Sequence, residues 1–431
     1  MKKLTVWIFQ TGEPLPIDEG LPRPMRAMNL SSALVNAGHK VVLWSAAFHH
    51  HEKRHRSNEF AKIKVNDKLE VRLIPSCGYQ RNIGMGRLID HAQLAYNLKQ
   101  ILRQEKDLPD VAFIGYPPIE TAAVSTRWLS MRGVPTLLDV KDQWPLLFLE
   151  AIPNFFRPLG SLVLWPYAHL AKSAMKNATG ISAMAKGYID WTIQFSGRVP
   201  SLWDKVFPLT SPTGQVSEAE LTGAEKWWDE RGVINDGKVR IFFVSTFMSV
   251  FDFVPVRDAA VMAIHENIPL EFILAGDGGS AKDLRKMMEG LPNVNFPGWI
   301  DRPKIEALAE RCHAAIAPYK NIQNFTLNIP NKIIDALSLG LPILCPLEGE
   351  VASLIEEYEV GLRYGPGTCR TLYDCIKILM DNPELQKRMS QNARTLYEKR
   401  FSYEKVYGGL VKHLEKMAQL KNTGRIRNNS V

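Results

Sequence analysis

Between residues 328 and 335 the chain places two amides, an ammonium and a carboxylate at a spacing that could hold a phosphorylated ligand: Asn328, Asn331, Lys332 and Asp335. The segment predicts a helix, with Asn328 as N-cap, Pro330 in the first turn and Gly340 as the stop. At about 100° per residue, Ile333, Ile334 and Leu337 share one side and the four polar residues gather on the other. A polar face that starts at a helix N-terminus offers free N–H groups and the positive end of the dipole to an anion. Lys332 adds a full charge for a phosphate, and Asp335, one turn on, can accept two hydrogen bonds from a ribose diol. A solvated face of an amphipathic surface helix accounts for the same pattern, and the residues alone leave both readings open.

A second group sits at the end of a buried strand, where Asp139 and Asp142 flank Lys141. Carboxylates there can orient a hydroxyl or take its proton, which makes Asp142 the base candidate; capping of the next segment by Asp142, over Trp144-Pro145, is the structural alternative. The loop Gln10–Arg26 adds Gly12, Glu13, Arg23 and Arg26, and is equally readable as a plain Pro-rich loop. The run His49–Arg56 invites a metal reading, but it lacks Cys and its basic neighbours repel a cation. A solvated basic loop, able to meet acceptor phosphate or lipid headgroups, is expected instead, with no metal. Phe155–Lys176 mixes aromatics with Arg157, Lys172 and Lys176, and fits a core-facing helix or one touching a membrane surface.

These groups need a scaffold, and the hydropathy pattern predicts one. Strands at Leu4–Phe9, Lys40–Ser45, Leu69–Ile74, Val111–Gly115, Pro135–Val140 and Gly180–Ala183 alternate with helices such as Arg26–Asn36 and Arg87–Glu105. The pattern breaks at the Pro- and Gly-rich stretch 201–238, the expected linker region, in which Ala224–Arg231 should form a helix, and it restarts with strands Val239–Val244, Leu270–Ala275, Val294–Phe296, Ala314–Ala317, Pro342–Cys345 and Gly361–Arg363. The expected fold class is α/β: two doubly wound, Rossmann-like parallel-sheet domains, 1–200 and 239–400, facing a cleft, with ligand at the carboxyl ends of the strands. Residues 401–420 should form a closing helix and 421–431 a flexible tail.

The run Asn328–Leu344 (NIPNKIIDALSLGLPIL) resembles the signature helix of GT-B retaining glycosyltransferases of the GT4-like family. That pattern is a Glu, seven residues, a second Glu, then small residues, Gly and Pro. Asp335 takes the second acidic position and Leu327 the first. DVKDQWP (Asp139–Pro145) resembles an element of the subgroup acting in bacterial O-antigen and capsule assembly. ILAGDGG (Ile273–Gly279), NVNFPGWIDR (Asn293–Arg302), AIAPYK (Ala315–Lys320) and FSYEKV (Phe401–Val406) follow the family order, so the resemblance spans almost the whole chain. It implies a nucleotide-sugar site of Ser245, Gly276, Asp277, Gly278, Trp299, Ile300, Asn328, Asn331, Lys332 and Asp335. It implies catalytic roles for Asp142 and Lys332, and an acceptor side of Gly12, Glu13, Arg26, Asp139 and Lys141. The implied reaction is metal-independent, retaining hexosyl transfer from a UDP- or GDP-sugar, with no cofactor, to a lipid-linked glycan acceptor. Two departures stand out. The first acidic position is empty, and Ser245–Ser249 carries none of the basic residues that usually hold the diphosphate, which leaves Lys332 and the helix amides more of that work.

Composition bounds the alternatives. The 431 residues, 45% hydrophobic and 23% charged, exclude collagen, low-complexity disorder and disulfide-stapled mini-domains. Met-Lys-Lys before Leu4–Phe9 imitates a signal peptide, but the apolar part is short and Gln10-Thr11-Gly12-Glu13 replaces a cleavage site, so a cytoplasmic chain with five reduced Cys is expected, peripheral on the inner membrane face at most. The net charge of +8 suits anionic partners such as phosphorylated ligands or an anionic membrane face, though solubility alone also explains it. No nucleic-acid module accompanies that charge. A GT-B-fold sugar-nucleotide epimerase and a catalytically inactive family member are the remaining alternatives.

Overall fold

The structure is a computed structural model that describes residues 3–20, 24–82, 84–150, 153–211, 214 and 216–422. Arg23 and the tail residues 423–431 lie outside the described residues. The chain divides into two units, one of residues up to Pro208 together with those from Val406, the other Leu209–Lys405.

The first unit is built on β1 (Thr5–Phe9), β2 (Lys40–Ala46), the hairpin β3 (Phe48–His49) with β4 (Arg54–His55), β5 (Ala61–Lys64), β6 (Leu69–Ile74), β7 (Val111–Tyr116), β8 (Thr136–Val140), β9 (Gly180–Ala183) and β10 (Lys205–Val206). Its eight-stranded sheet runs β10-β9-β8-β7-β1-β2-β6-β5. All pairs are parallel except β5 with β6, an edge strand whose outward Lys62 and Lys64 are exposed and discourage further pairing. β7 and β8 are buried at every position, as strands covered on both faces require. The strand order reverses between β1 and β7. The last helix, Tyr403–Asn422, returns to this unit from Val406 onward. There Leu410, Leu414 and Met417 are buried, Glu415 meets His39 at 3.1 Å, and Lys421 donates to the Pro109 carbonyl at 2.7 Å.

The second unit carries β11 (Val239–Val244), β12 (Leu270–Ala275), β13 (Val294–Asn295), β14 (Ala314–Ile316), β15 (Ile343–Cys345) and β16 (Gly361–Arg363), paired in parallel in the order β13-β12-β11-β14-β15-β16. This is the doubly wound order, reversing between β11 and β14.

The stretch 201–238, the expected linker region, carries a strand and a helix. β10 extends the first sheet, and the helix Glu218–Asp229 packs in the second unit, with Trp228 fully buried and its Nε1 donating to the Lys304 carbonyl at 2.8 Å. That helix begins at a capping box of Ser217 and Glu220, six residues ahead of the start expected at Ala224. No helix among the described residues is long and apolar enough to cross a membrane.

Candidate functional site

In the second unit the helix Asn331–Leu339 connects β14 to β15, so it begins at the carboxyl edge of the sheet, beside the point where the strand order reverses. Ile333, Ile334, Ala336 and Leu337 are buried, which turns Lys332 and Asp335 outward, 23% and 24% exposed. The N-cap is Pro330, which has no side chain able to cap. The N–H groups of Asn331 and Lys332 find no partner among the described residues, as expected of an uncapped first turn. Lys332 Nζ lies 3.2 Å from Asp335 Oδ2, and Ser211 Oγ donates to Asp335 Oδ1 at 3.2 Å. Free amides, an ammonium, a carboxylate and a hydroxyl thus share one end of one helix. Gly340, left-handed at φ 67°, closes the helix: Leu341 N donates to Ala336 O at 3.0 Å, and a Cβ at 340 would strike Arg394.

Several expected nucleotide contacts sit differently. Asn328 is buried and is not the N-cap; its Oδ1 accepts from Ile329 N at 2.8 Å, and the extended residue at the helix start is Pro330. Leu327 ends a separate short helix, Gln323–Thr326. Gly276 and Gly278 have φ near 139° and 149°, and a Cβ on either would collide with the backbone of Ser245 or Phe247. Their first task is the close approach of the loops after β11 and β12, tied by Phe247 N to Asp277 O at 2.8 Å. Ser245 is half-buried on that loop, Asp277 is exposed with Oδ1 on Gly278 N, Trp299 is 70% exposed, and Ile300 is buried in the core.

In the first unit, two acceptor-side candidates are bound to each other. Arg26 and Asp139, 3% and 0% exposed, pair through Nη2 to Oδ1 at 2.8 Å and Nε to Oδ2 at 2.7 Å, and Ser182 Oγ donates to the same Oδ1 at 2.6 Å. The charges of these two acceptor-side candidates are thus directed at each other inside the unit. Glu13 is buried too: Oε2 accepts from Ala27 N at 2.9 Å, at the start of the helix Arg26–Asn36, and Oε1 takes Lys141. Lys141 Nζ also reaches Gln10 Oε1 at 3.1 Å, so this ammonium bridges the ends of β1 and β8. Gly12 is left-handed at φ 85° in the turn between them.

Asp142 differs from all of these. It is half-buried and makes no hydrogen bond or ion pair among the described residues. Burial pushes its pKa up to about 6, against the opposing pull of Lys141 and Arg87. A carboxylate near neutrality with free oxygens is suited to take a proton.

Arg87, which acts on Asp142, belongs to a cluster that sequence reasoning missed. Arg87 lies 5.0 Å from the Trp144 ring and 5.7 Å from that of Tyr79; Tyr79 bonds His50; His91 packs 6.1 Å from Trp144. These residues come from four separate segments: His50 belongs to the basic run His49–Arg56 and Trp144 to the Asp139–Pro145 motif, and nothing in the sequence joins them to Tyr79, Arg87 or His91. The basic loop is also less solvated than expected, since His49 is buried 3.3 Å from Asp18, which Arg56 grips as well. Burial and neighbouring cations hold His50 down to about 4 and His91 to about 3, so both are neutral at pH 7. No group of three or more His, Cys, Asp or Glu among the described residues is placed to hold a metal ion.

Two doubly wound parallel sheets define the class, and solved structures share it. Sucrose-phosphate synthase from Thermosynechococcus elongatus superposes with TM-score 0.67 at 13% identity, over 96% of this chain and 99% of that one. HepE of Anabaena, solved in complex with UDP, gives 0.61 at 15% identity over 96% and 100%. WaaG, a glycosyltransferase involved in lipopolysaccharide biosynthesis, gives 0.62 at 12% identity over 95% and 99%. The fold is therefore GT-B. Within it, residues 238–382 match the family described as Glycosyl transferases group 1. Alpha-D-kanosaminyltransferase of Streptomyces kanamyceticus is 26% identical over 148 residues, 34% of this chain, and the match spans 37% of that relative's length.

Two outcomes follow from this geometry. Asp139→Ala strands Arg26 as a buried cation and should cost about 3–5 kcal/mol in urea unfolding; a joint Arg26→Met, Asp139→Leu change should recover most of that loss. Because the folded chain raises the Asp142 pKa from 3.8 to about 6, it holds that proton more tightly than the unfolded chain, so this group's contribution to stability falls as pH rises through that interval. Asp142→Asn should abolish the fall, and urea midpoints of the two proteins from pH 4 upward measure it.

Proposed function

We propose that the protein is a glycosyltransferase that moves a sugar from a nucleotide-sugar donor to a hydroxyl acceptor, with donor bound by the second unit and acceptor by the first. The observation that carries this reading is the uncapped start of the helix Asn331–Leu339, where two free N–H groups and Lys332 converge and Asp335 follows one turn on. The amides and ammonium receive the diphosphate, whose negative charge grows as the sugar leaves. Asp335 and Ser211 grip the ribose diol. The group 1 match over residues 238–382 and the UDP complex of the structurally similar HepE support the same assignment of the second unit.

Asp142, at the carboxyl end of β8, is the group that accepts or orients the acceptor proton. The positive field at the helix start performs the electrostatic work that a divalent cation performs elsewhere, and we read the reaction as metal-independent and retaining, the leaving diphosphate assisting deprotonation on the same face of the sugar. The acceptor we propose is a lipid-linked glycan in bacterial surface polysaccharide assembly, met at the cytoplasmic face of the inner membrane, in keeping with the Asp139–Pro145 motif and with a net charge of +8.

A thermal-shift panel of UDP-, GDP-, ADP- and dTDP-sugars tests the donor reading. The true donor at 100 times its Kd should stabilise the native chain by about 2.7 kcal/mol, and no shift from any donor would discard it. Lys332→Ala should lower kcat/KM by roughly 100- to 1000-fold. Asp335→Ala should raise the nucleotide Kd about 10- to 100-fold. Sugar isomerised in the absence of acceptor would mark an epimerase instead.

A further inference from the structure

An apolar groove and a cationic aromatic patch adjoin each other in the first unit. The groove, about 320 Å³, is lined by Phe148, Phe156, Leu159, Gly160, Val163 and Leu164. It lies along the helix Arg157–Asn177, on which Leu159, Leu162, Val163 and Trp165 are 61–72% exposed. Apolar side chains exposed in such a run mark a surface that meets an apolar partner.

One end of this groove leads to charge. Phe148 packs on Trp144 with ring centroids 4.8 Å apart, and Arg87 lies 5.0 Å from the other ring of that contact, Trp144. Arg87 and Lys53 both sit over the Tyr79 ring, at 5.7 and 4.5 Å. Neither cation forms an ion pair among the described residues. Their hydrogen bonds go to neutral Asn82, from Lys53 Nζ to Oδ1 at 2.5 Å and from Arg87 Nη1 to the carbonyl at 2.9 Å, and Arg87 Nε is buried without a partner. Stacking against aromatic rings fixes the guanidinium plane, and a fixed fork suits the oxygens of a phosphate.

We propose that this surface binds a lipid phosphate: a hydrocarbon chain in the Phe148–Leu164 groove and its terminal phosphate or diphosphate on Arg87 and Lys53. The groove is lined by apolar residues alone, which suits a hydrocarbon chain. The patch argues for an anionic head: Lys53 and Arg87 stack on the same Tyr79 ring and repel each other, although Arg87 also faces the carboxylates of Asp142 and Glu120. The site gives chemical form to the acceptor and rests on the reading of the first unit as the acceptor-binding one.

The test is equilibrium binding of farnesyl diphosphate, inorganic pyrophosphate and farnesol to the full chain, followed by tryptophan fluorescence. Farnesyl diphosphate should bind at least roughly tenfold more tightly than either half, because only it fills both parts. Arg87→Gln should weaken it roughly 10- to 100-fold. Leu159→Ser with Val163→Ser, at exposed positions that the fold does not need, should bring it down to the level of pyrophosphate. Equal affinities for farnesyl diphosphate and pyrophosphate, or wild-type affinity in both variants, would overturn the site. So would flotation with phosphatidylglycerol vesicles without any binding of farnesyl diphosphate, which would make the face a general membrane contact. The donor panel on the same preparation keeps the two readings apart. A thermal shift with a nucleotide-sugar but no lipid phosphate binding defeats this site alone, and the reverse result defeats glycosyl transfer alone.

Discussion

A parallel sheet forces every connecting helix to start on one side, and this constraint organises both candidate sites. Each crossover leaves a strand at its carboxyl end, so helix N-termini and variable loops gather along one edge of each sheet. In the second unit the helix after β14 opens there with Pro330 as its cap, and the first-turn amides stay unsatisfied. An uncapped helix start is a local loss of stability. Here it coincides with Lys332 and Asp335, and it is where the proposed function puts the diphosphate.

Burial separates the charged residues that build the protein from those free to act. Arg26 and Asp139 are fully enclosed and paired, so either one without the other is an uncompensated charge in a dry interior. Lys332 and Asp335 pair across one helical turn at the surface, an arrangement worth about 1 kcal/mol or less. A phosphate can take that ammonium at little cost, whereas freeing Arg26 means breaking a buried pair. Glu13 and Lys141 lie between these extremes: they tie the end of β1 to the end of β8 and steady the strand end from which Asp142 projects.

Strand positions were legible because buried parallel strands are continuous apolar runs. Leu69–Ile74, Gly180–Ala183, Val239–Val244, Leu270–Ala275 and Gly361–Arg363 coincide with expectation residue for residue, and so does the helix Arg26–Asn36. The edge strand β5 and the two-residue β10 were not legible, because an edge strand is half polar and a short one carries no period. The start of the helix Glu218–Asp229 was legible in its Ser217…Glu220 spacing and was overlooked amid the surrounding Pro and Gly residues.

Local order, by itself, determined the α/β alternation, the polar face with Lys332 and Asp335, and the Gly340 stop, since each depends on residues within a few positions of one another. Tertiary structure alone decided which charges pair and which stay open. Asp139 meets Arg26 from 113 positions away, Ser211 reaches Asp335 from 124, and Arg87 comes to Trp144 from the helix Met85–Gln104. A one-dimensional pattern reports the chemistry a side chain can do. Whether water, an opposite charge or a buried wall surrounds it depends on long-range packing, and that environment is what sets its charge and its availability.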